Sequence, residues 1–261
     1  MNAIRARQAL AVMVVLVLMV AVVAVLVPRS RPVPAPSWPT AGWRTSTPED
    51  QGLDSARLAE ALLTIQQSGM HIHSLLLVRN GALVLDASFY PYDGSTPHEL
   101  ASVTKSVMTT LIGIAADRGS LKLDQPMVSF FHDRQIANRD ARKERVTVAH
   151  LASMSSGLEC VAEPDEPTLD EMRASQDWVQ FVLDRKVVTE PGSTFVYCSP
   201  GMHLLSAILT ESTGTSTLDF ARQHLFDPLG IREVYWPQDP RGYYLGGGDI
   251  HLHPRDAAKL G

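Results

Sequence analysis

The chain has two cysteines in 261 residues, too few for a scaffold built on disulfides. Cys160 and Cys198 can bridge in an extracytoplasmic setting, but sequence alone does not give their separation in space. No run of lysine and arginine is present, and the net charge is −5, so the chain offers no electrostatic footprint for nucleic acid. Metal-ligand patterns are equally thin. His71 and His73, and again His251 and His253, are spaced to share one face of an extended segment, but neither pair comes with an assured third ligand. No internal repeat is visible. The expectation is one enzyme-sized domain with no metal, no cofactor and no nucleic-acid partner.

Long apolar runs are scarce too, with one exception. Arg5 and Arg7 precede 19 uninterrupted apolar residues, Ala9 to Val27. As a helix this run spans about 29 Å, close to the hydrocarbon thickness of a bilayer and longer than the usual core of a cleaved signal. Residues 1–27 therefore read as a signal-anchor, with cleavage after Ala24 as the alternative that would give a secreted protein. Arg29 and Arg31 balance Arg5 and Arg7, so charge barely orients the segment. Five prolines between Pro28 and Trp43 make residues 28–47 a semi-extended tether. Residues 48–261 are sufficient for a single core.

Within that domain, Ser102-Val103-Thr104-Lys105 opens an apolar stripe of Val107, Met108, Leu111, Ile112 and Ala115 that Gly119 stops. In a helix, residues three apart share a face, so Lys105 lies over Ser102. A serine hydroxyl needs a neighbouring base and oxyanion donors to act as a nucleophile, and a helix start supplies a favourable dipole. Two roles stand for Ser102, an N-cap of a buried helix or an activated nucleophile. Further on, Glu190-Pro191-Gly192 reads as a turn, Thr194–Tyr197 as extended, and Pro200 as the first residue of a helix carrying Leu204, Leu205, Ile208 and Leu209 up to Gly214. Tyr197 then sits at a loop-to-helix junction, where a nearby ammonium would make its phenol a proton acceptor. A half-buried structural tyrosine is the other reading, as an N-cap is for Ser199.

The clearest strands are residues 72–79 and 82–90, joined by Asn80-Gly81, with residues near Thr194 and Val234 as the pieces available to extend the sheet. Asp54 caps an early helix whose Leu58, Ala61, Leu62 and Ile65 face inward. Residues 146–153 and 178–183 suggest a second helical layer. Trp236, Tyr243 and Tyr244, ahead of Gly246-Gly247-Gly248, fit either a substrate cleft or a surface loop.

Four segments in order, Ser102–Lys105, His150–Leu158, Pro191–Gly201 and Pro254–Asp256, resemble the penicillin-recognising serine hydrolases. This is the beta-lactamase-related group of class C beta-lactamases, D-alanyl-D-alanine carboxypeptidases, esterases and 6-aminohexanoate-oligomer hydrolases. The resemblance covers residues 48–261. It implies an α+β fold, an antiparallel sheet flanked by helices plus a helical subdomain, with the catalytic domain outside the membrane. It makes Ser102 the acylated nucleophile, Lys105 its proton acceptor or electrostatic tuner, and Tyr197 the proton shuttle to the leaving group. It also makes Ser199 a substrate-binding residue standing where many relatives carry asparagine; one hydroxyl replaces an amide, which weakens recognition of beta-lactams. The substrates implied are small amides, esters or peptides. A third, Lys- or His-containing motif of the family, expected after Pro254–Asp256, does not follow before Gly261, so the reading is of a partial open reading frame. Without that motif, a non-catalytic sensor module or an inactive remnant stands as the alternative to a hydrolase.

Overall fold

The computed structural model describes residues 38–261. The expected anchor and half of the expected tether, residues 28–37, lie outside them. Among the described residues no helix is long and apolar enough to cross a membrane. Residues 38–261 form one compact unit, and the fold is α+β.

Strand β1 (Arg44–Thr45) precedes helix α1 (Ser55–Gln67), followed by the hairpin β2 (Ser74–Arg79) and β3 (Ala82–Ser88). Asp54 caps α1 as expected, accepting from the N–H groups of Ala56 and Arg57. The expected inward stripe is only half-realised. Leu58, Leu62 and Ile65 are half-buried, Ala61 is exposed, and Leu62 and Ile65 instead line a surface cavity beside Ile72 and Phe89. The hairpin turns at Asn80 (φ 49°) and Gly81 (φ 69°), the left-handed pair that a two-residue turn requires.

The third strand is not one of the two expected pieces. β1 pairs parallel to β3, Arg44 opposite Ala82, and extends a hairpin that alone would be marginal. Thr194–Tyr197 joins no sheet; its Val196 N–H donates to the Met154 carbonyl. The region near Val234 does form an extended contact, but in a second sheet. There β4 (His98–Glu99) pairs with β5 (His251–Leu252), and Tyr235 bridges to His251.

The helical layer consists of α2 (Val103–Asp117), α3 (Val148–Ala152), α4 (Pro167–Ala174), α5 (Trp178–Asp184), α6 (Ser199–Thr213), α7 (Thr217–Ala221) and the short α8 (Pro254–Ala257). Helix α6 is the centre of the core. Every residue from Ser199 to Leu209 is buried, not only the four apolar positions that periodicity marks, because α2, α3, α4, α5 and α7 all pack on it. Gly214, in the left-handed region, ends it as expected.

Cys160 and Cys198 form a disulfide that closes a loop across 38 positions. Cys198 is the N-cap of α6, so the bridge ties the approach to α4 to the start of the central helix. A loop of this length gives a chain-entropy stabilisation of about 2–4 kcal/mol. The Cys160→Ser/Cys198→Ser variant should lose about that much, read as a lower denaturant midpoint with a slope that rises as the unfolded chain expands. A midpoint equal to that of the parent chain would mean the bridge constrains nothing.

Candidate active site

The turn that delivers Ser102 is fixed by backbone geometry. β4 runs straight into it, the Leu100 N–H donates to the Ile250 carbonyl, and Ala101 takes a left-handed φ of 42° before α2 begins. Thr104 secures this turn: its hydroxyl donates to the Ala101 carbonyl and accepts from the Ile250 N–H. Ser102 occupies the N-cap position of α2, yet its hydroxyl makes no capping bond. It is exposed and engaged elsewhere, so the capping role that sequence left open is not taken.

Ser102 Oγ lies 2.6 Å from Tyr197 Oη and accepts from Lys105 Nζ at 2.9 Å. The three-residue spacing therefore places the amine over the hydroxyl as expected. Lys105 is only 7% exposed, and its remaining reach is taken by the Gly247 carbonyl and by the Tyr197 ring, whose centroid lies 4.8 Å from Nζ. An ammonium removed from water needs such acceptors, and the Gly247 oxygen is the one that sequence did not single out. The Gly246-Gly247-Gly248 run was the available signal. Trp236 and Tyr243 serve that loop and not an open cleft: Trp236 Nε1 donates to the Leu245 carbonyl, and Tyr243 Oη to Glu211.

Tyr197 reaches the cluster because the segment matching His150–Leu158 clamps the chain that precedes it. The Gly192 N–H donates to the Ser155 carbonyl and the Val196 N–H to the Met154 carbonyl. Met154 (φ 52°) and Gly157 (φ 74°) make the bends this needs. Any side chain at Gly157 would collide with the Thr189 backbone. Burial pushes the Tyr197 phenol up, but hydrogen bonds with Lys105 and Ser102 and the Lys105 charge outweigh it. The net result lies below the ordinary tyrosine value, with Glu166 opposing.

Ser199 stands apart from this network. It is the first residue of α6, 1% exposed, with Oγ free of any hydrogen-bond partner, and it packs against Gly247. The helix starts one residue before Pro200, with Cys198 and not Ser199 as the N-cap. Among the described residues no three His, Cys, Asp or Glu side chains converge as metal ligands. His73 pairs with His98 at 3.2 Å, and His253 with Glu233 at 2.9 Å.

A profile of the Beta-lactamase family matches residues 56–253. A beta-lactamase of Escherichia coli strain K12 is 25% identical over 170 residues, covering 63% of this chain and 43% of that protein. Esterase EstB of Burkholderia gladioli is 27% identical over 195 residues, covering 70% and 48%. The chain thus spans less than half the length of these curated relatives. In the solved octameric penicillin-binding protein homologue from Pyrococcus abyssi the same fold recurs, with a TM-score of 0.62 at 22% identity over 79% of this chain and 55% of that one.

The lowered Tyr197 value sets a titration test. Tyrosinate absorbance of the chain minus that of Tyr197→Phe should show a midpoint below about 10, the ordinary tyrosine value. In Lys105→Met that midpoint should move upward, because the cation that favours phenolate is gone. A midpoint indifferent to Lys105 would mean the two groups do not interact.

Proposed function

The chain belongs to the beta-lactamase family, and on that premise we propose that it is a serine hydrolase acting on small esters, amides or peptides through an acyl-enzyme on Ser102. The observation that carries this reading is the meeting of three side chains, Ser102 Oγ 2.6 Å from Tyr197 Oη and 2.9 Å from Lys105 Nζ. In the proposed reaction Tyr197, as phenolate, takes the Ser102 proton while Oγ bonds to the substrate carbonyl carbon. The backbone N–H of Ser102, at the positive end of α2, faces the oxyanion. Tyr197 then hands its proton to the departing amine or alkoxide as the carbon-to-leaving-group bond breaks. Deacylation reverses the roles: Tyr197 takes a proton from water, whose oxygen attacks the acyl carbon, and Ser102 Oγ recovers a proton as the acid leaves. Lys105 keeps its charge throughout and stabilises the phenolate.

Within this class, ester cleavage is favoured over beta-lactam cleavage. Ser199 offers a single hydroxyl where relatives resembling this chain carry an amide, and that hydroxyl is buried at the start of α6. We also propose that the domain works outside the cytoplasm, tethered to the membrane or secreted. The apolar run Ala9 to Val27 supports this, as does the Cys160–Cys198 bridge, since disulfides persist in oxidising compartments.

A serine-reactive fluorophosphonate should add once to the chain, on Ser102, and not at all to Ser102→Ala. That substitution should lower p-nitrophenyl butyrate turnover by on the order of 10⁴-fold or more. Turnover of p-nitrophenyl butyrate should exceed that of nitrocefin. A folded chain that neither labels nor turns over either compound would replace the hydrolase by a binding or sensor module.

A further inference from the structure

A fully buried histidine–aspartate pair lies outside the Ser102 cluster and has no part in the reaction described above. His203 Nε2 and Asp239 Oδ2 are 3.1 Å apart, and both side chains have no solvent exposure. A buried carboxylate is tolerated only when its oxygens are satisfied, and those of Asp239 are. Oδ2 accepts from His203 Nε2, which must therefore carry its hydrogen, and Oδ1 accepts from the N–H groups of Arg241 and Tyr243 at 2.8 and 2.9 Å. Burial pushes the Asp239 carboxyl up, but the His203 and backbone hydrogen bonds hold it below the ordinary range, so it stays ionised.

The pair joins two elements that both border the cluster. His203 is on α6, one turn after Ser199 and two residues beyond Gly201. Asp239 is in the loop 236–248, which closes on itself: Leu245 N–H donates to the Pro237 carbonyl, Trp236 Nε1 to the Leu245 carbonyl and Gln238 Nε2 to the Gly242 carbonyl. These bonds fix the shape of the loop. Its far end lies flat on the first turns of α6, where a Cβ on Gly246 would overlap the Met202 carbonyl and one on Gly247 would meet the Ser199 carbonyl. Gly247 then presents its own carbonyl to Lys105. The charged groups facing these parts are few. Arg241 and Arg134 reach Asp177, Glu211 receives the Tyr243 hydroxyl, and the Glu166 charge opposes ionisation of Tyr197.

We propose that His203 and Asp239 are positioning residues: by locking the 236–248 loop onto the first turns of α6, they hold the Gly247 carbonyl against Lys105 and so keep the ammonium beside Tyr197. This rests on the roles proposed above for Lys105 and Tyr197. His203 touches neither substrate nor the reacting atoms. It acts through a loop of fixed shape and one carbonyl, and the glycines at 246 and 247 are what allow the loop to lie close enough.

The test uses the full 261-residue chain and reads Tyr197 directly, as the tyrosinate titration with the matching Tyr197→Phe chain subtracted. His203→Leu breaks the pair. Gly246→Ala leaves both pair residues in the sequence but puts a methyl against the Met202 carbonyl, and so opposes the same docking from the loop side. Each should raise the Tyr197 midpoint by roughly one pH unit, the scale of losing a close opposite charge. His203→Gln, whose amide can still donate to Asp239, should restore most of the shift. Folding is checked by near-ultraviolet circular dichroism, and if His203→Leu does not fold, Gly246→Ala decides. A parental midpoint in folded Gly246→Ala would overturn the proposal, as would failure of His203→Gln to improve on a folded His203→Leu. Fluorophosphonate labelling of the same parent sample separates the two ideas: absence of an adduct counts against the hydrolase, while the tyrosine midpoint still decides the positioning role.

Discussion

The Lys105 ammonium is the constraint on which the site depends. An amine on a side chain only 7% exposed must find its partners within the fold, and three different parts of the chain supply them. Ser102 Oγ comes from the turn at the head of α2, the Tyr197 ring from the loop before α6, and the Gly247 carbonyl from the loop 236–248. Tyr197 and Gly247 lie 92 and 142 positions beyond Lys105, so their arrival at its amine follows from tertiary structure alone.

Helix α6 makes that meeting possible. Buried along its length from Ser199 to Leu209, it carries Tyr197 and Cys198 at its start, docks on α2 and accepts the glycine loop against its first turns. The disulfide fixes its N-cap and the 150–158 segment fixes the approach to Tyr197. The sheets contribute less to the core than to position. β4 and β5 hold the Ser102 turn through Leu100, Thr104 and Ile250, while the three-stranded sheet lies further off beside a half-buried α1.

Much of this is legible in the amino-acid sequence itself, and the reasons differ by element. The α2 stripe and the Ser102–Lys105 spacing are local, so helical periodicity alone brings amine and hydroxyl together. Asn80-Gly81 names its hairpin because few other residue pairs tolerate two left-handed positions. Arg44–Thr45 is too short to show alternation, and its parallel pairing with β3 is a long-range choice that no local pattern records. Ser199 shows what matching by motif leaves open. Its position in the Tyr197-Cys198-Ser199 run is the one resemblance indicates, but burial is set by Gly247, 48 residues later. The Gly247 carbonyl is a backbone group and has no side-chain signature. The Cys160–Cys198 bridge likewise depends on a distance that two cysteines in sequence cannot report.

The central claim is that Tyr197, poised by Lys105, is the proton acceptor for Ser102. The most direct measurement is the rate of fluorophosphonate acylation of the parent chain and of Tyr197→Phe at neutral pH, with the modified residue identified by mass. Ser102 should remain the residue modified, and the rate should fall by roughly 10²- to 10⁴-fold, the usual contribution of a positioned general base. A Tyr197→Phe chain acylated at Ser102 within a few-fold of the parent rate would contradict that role.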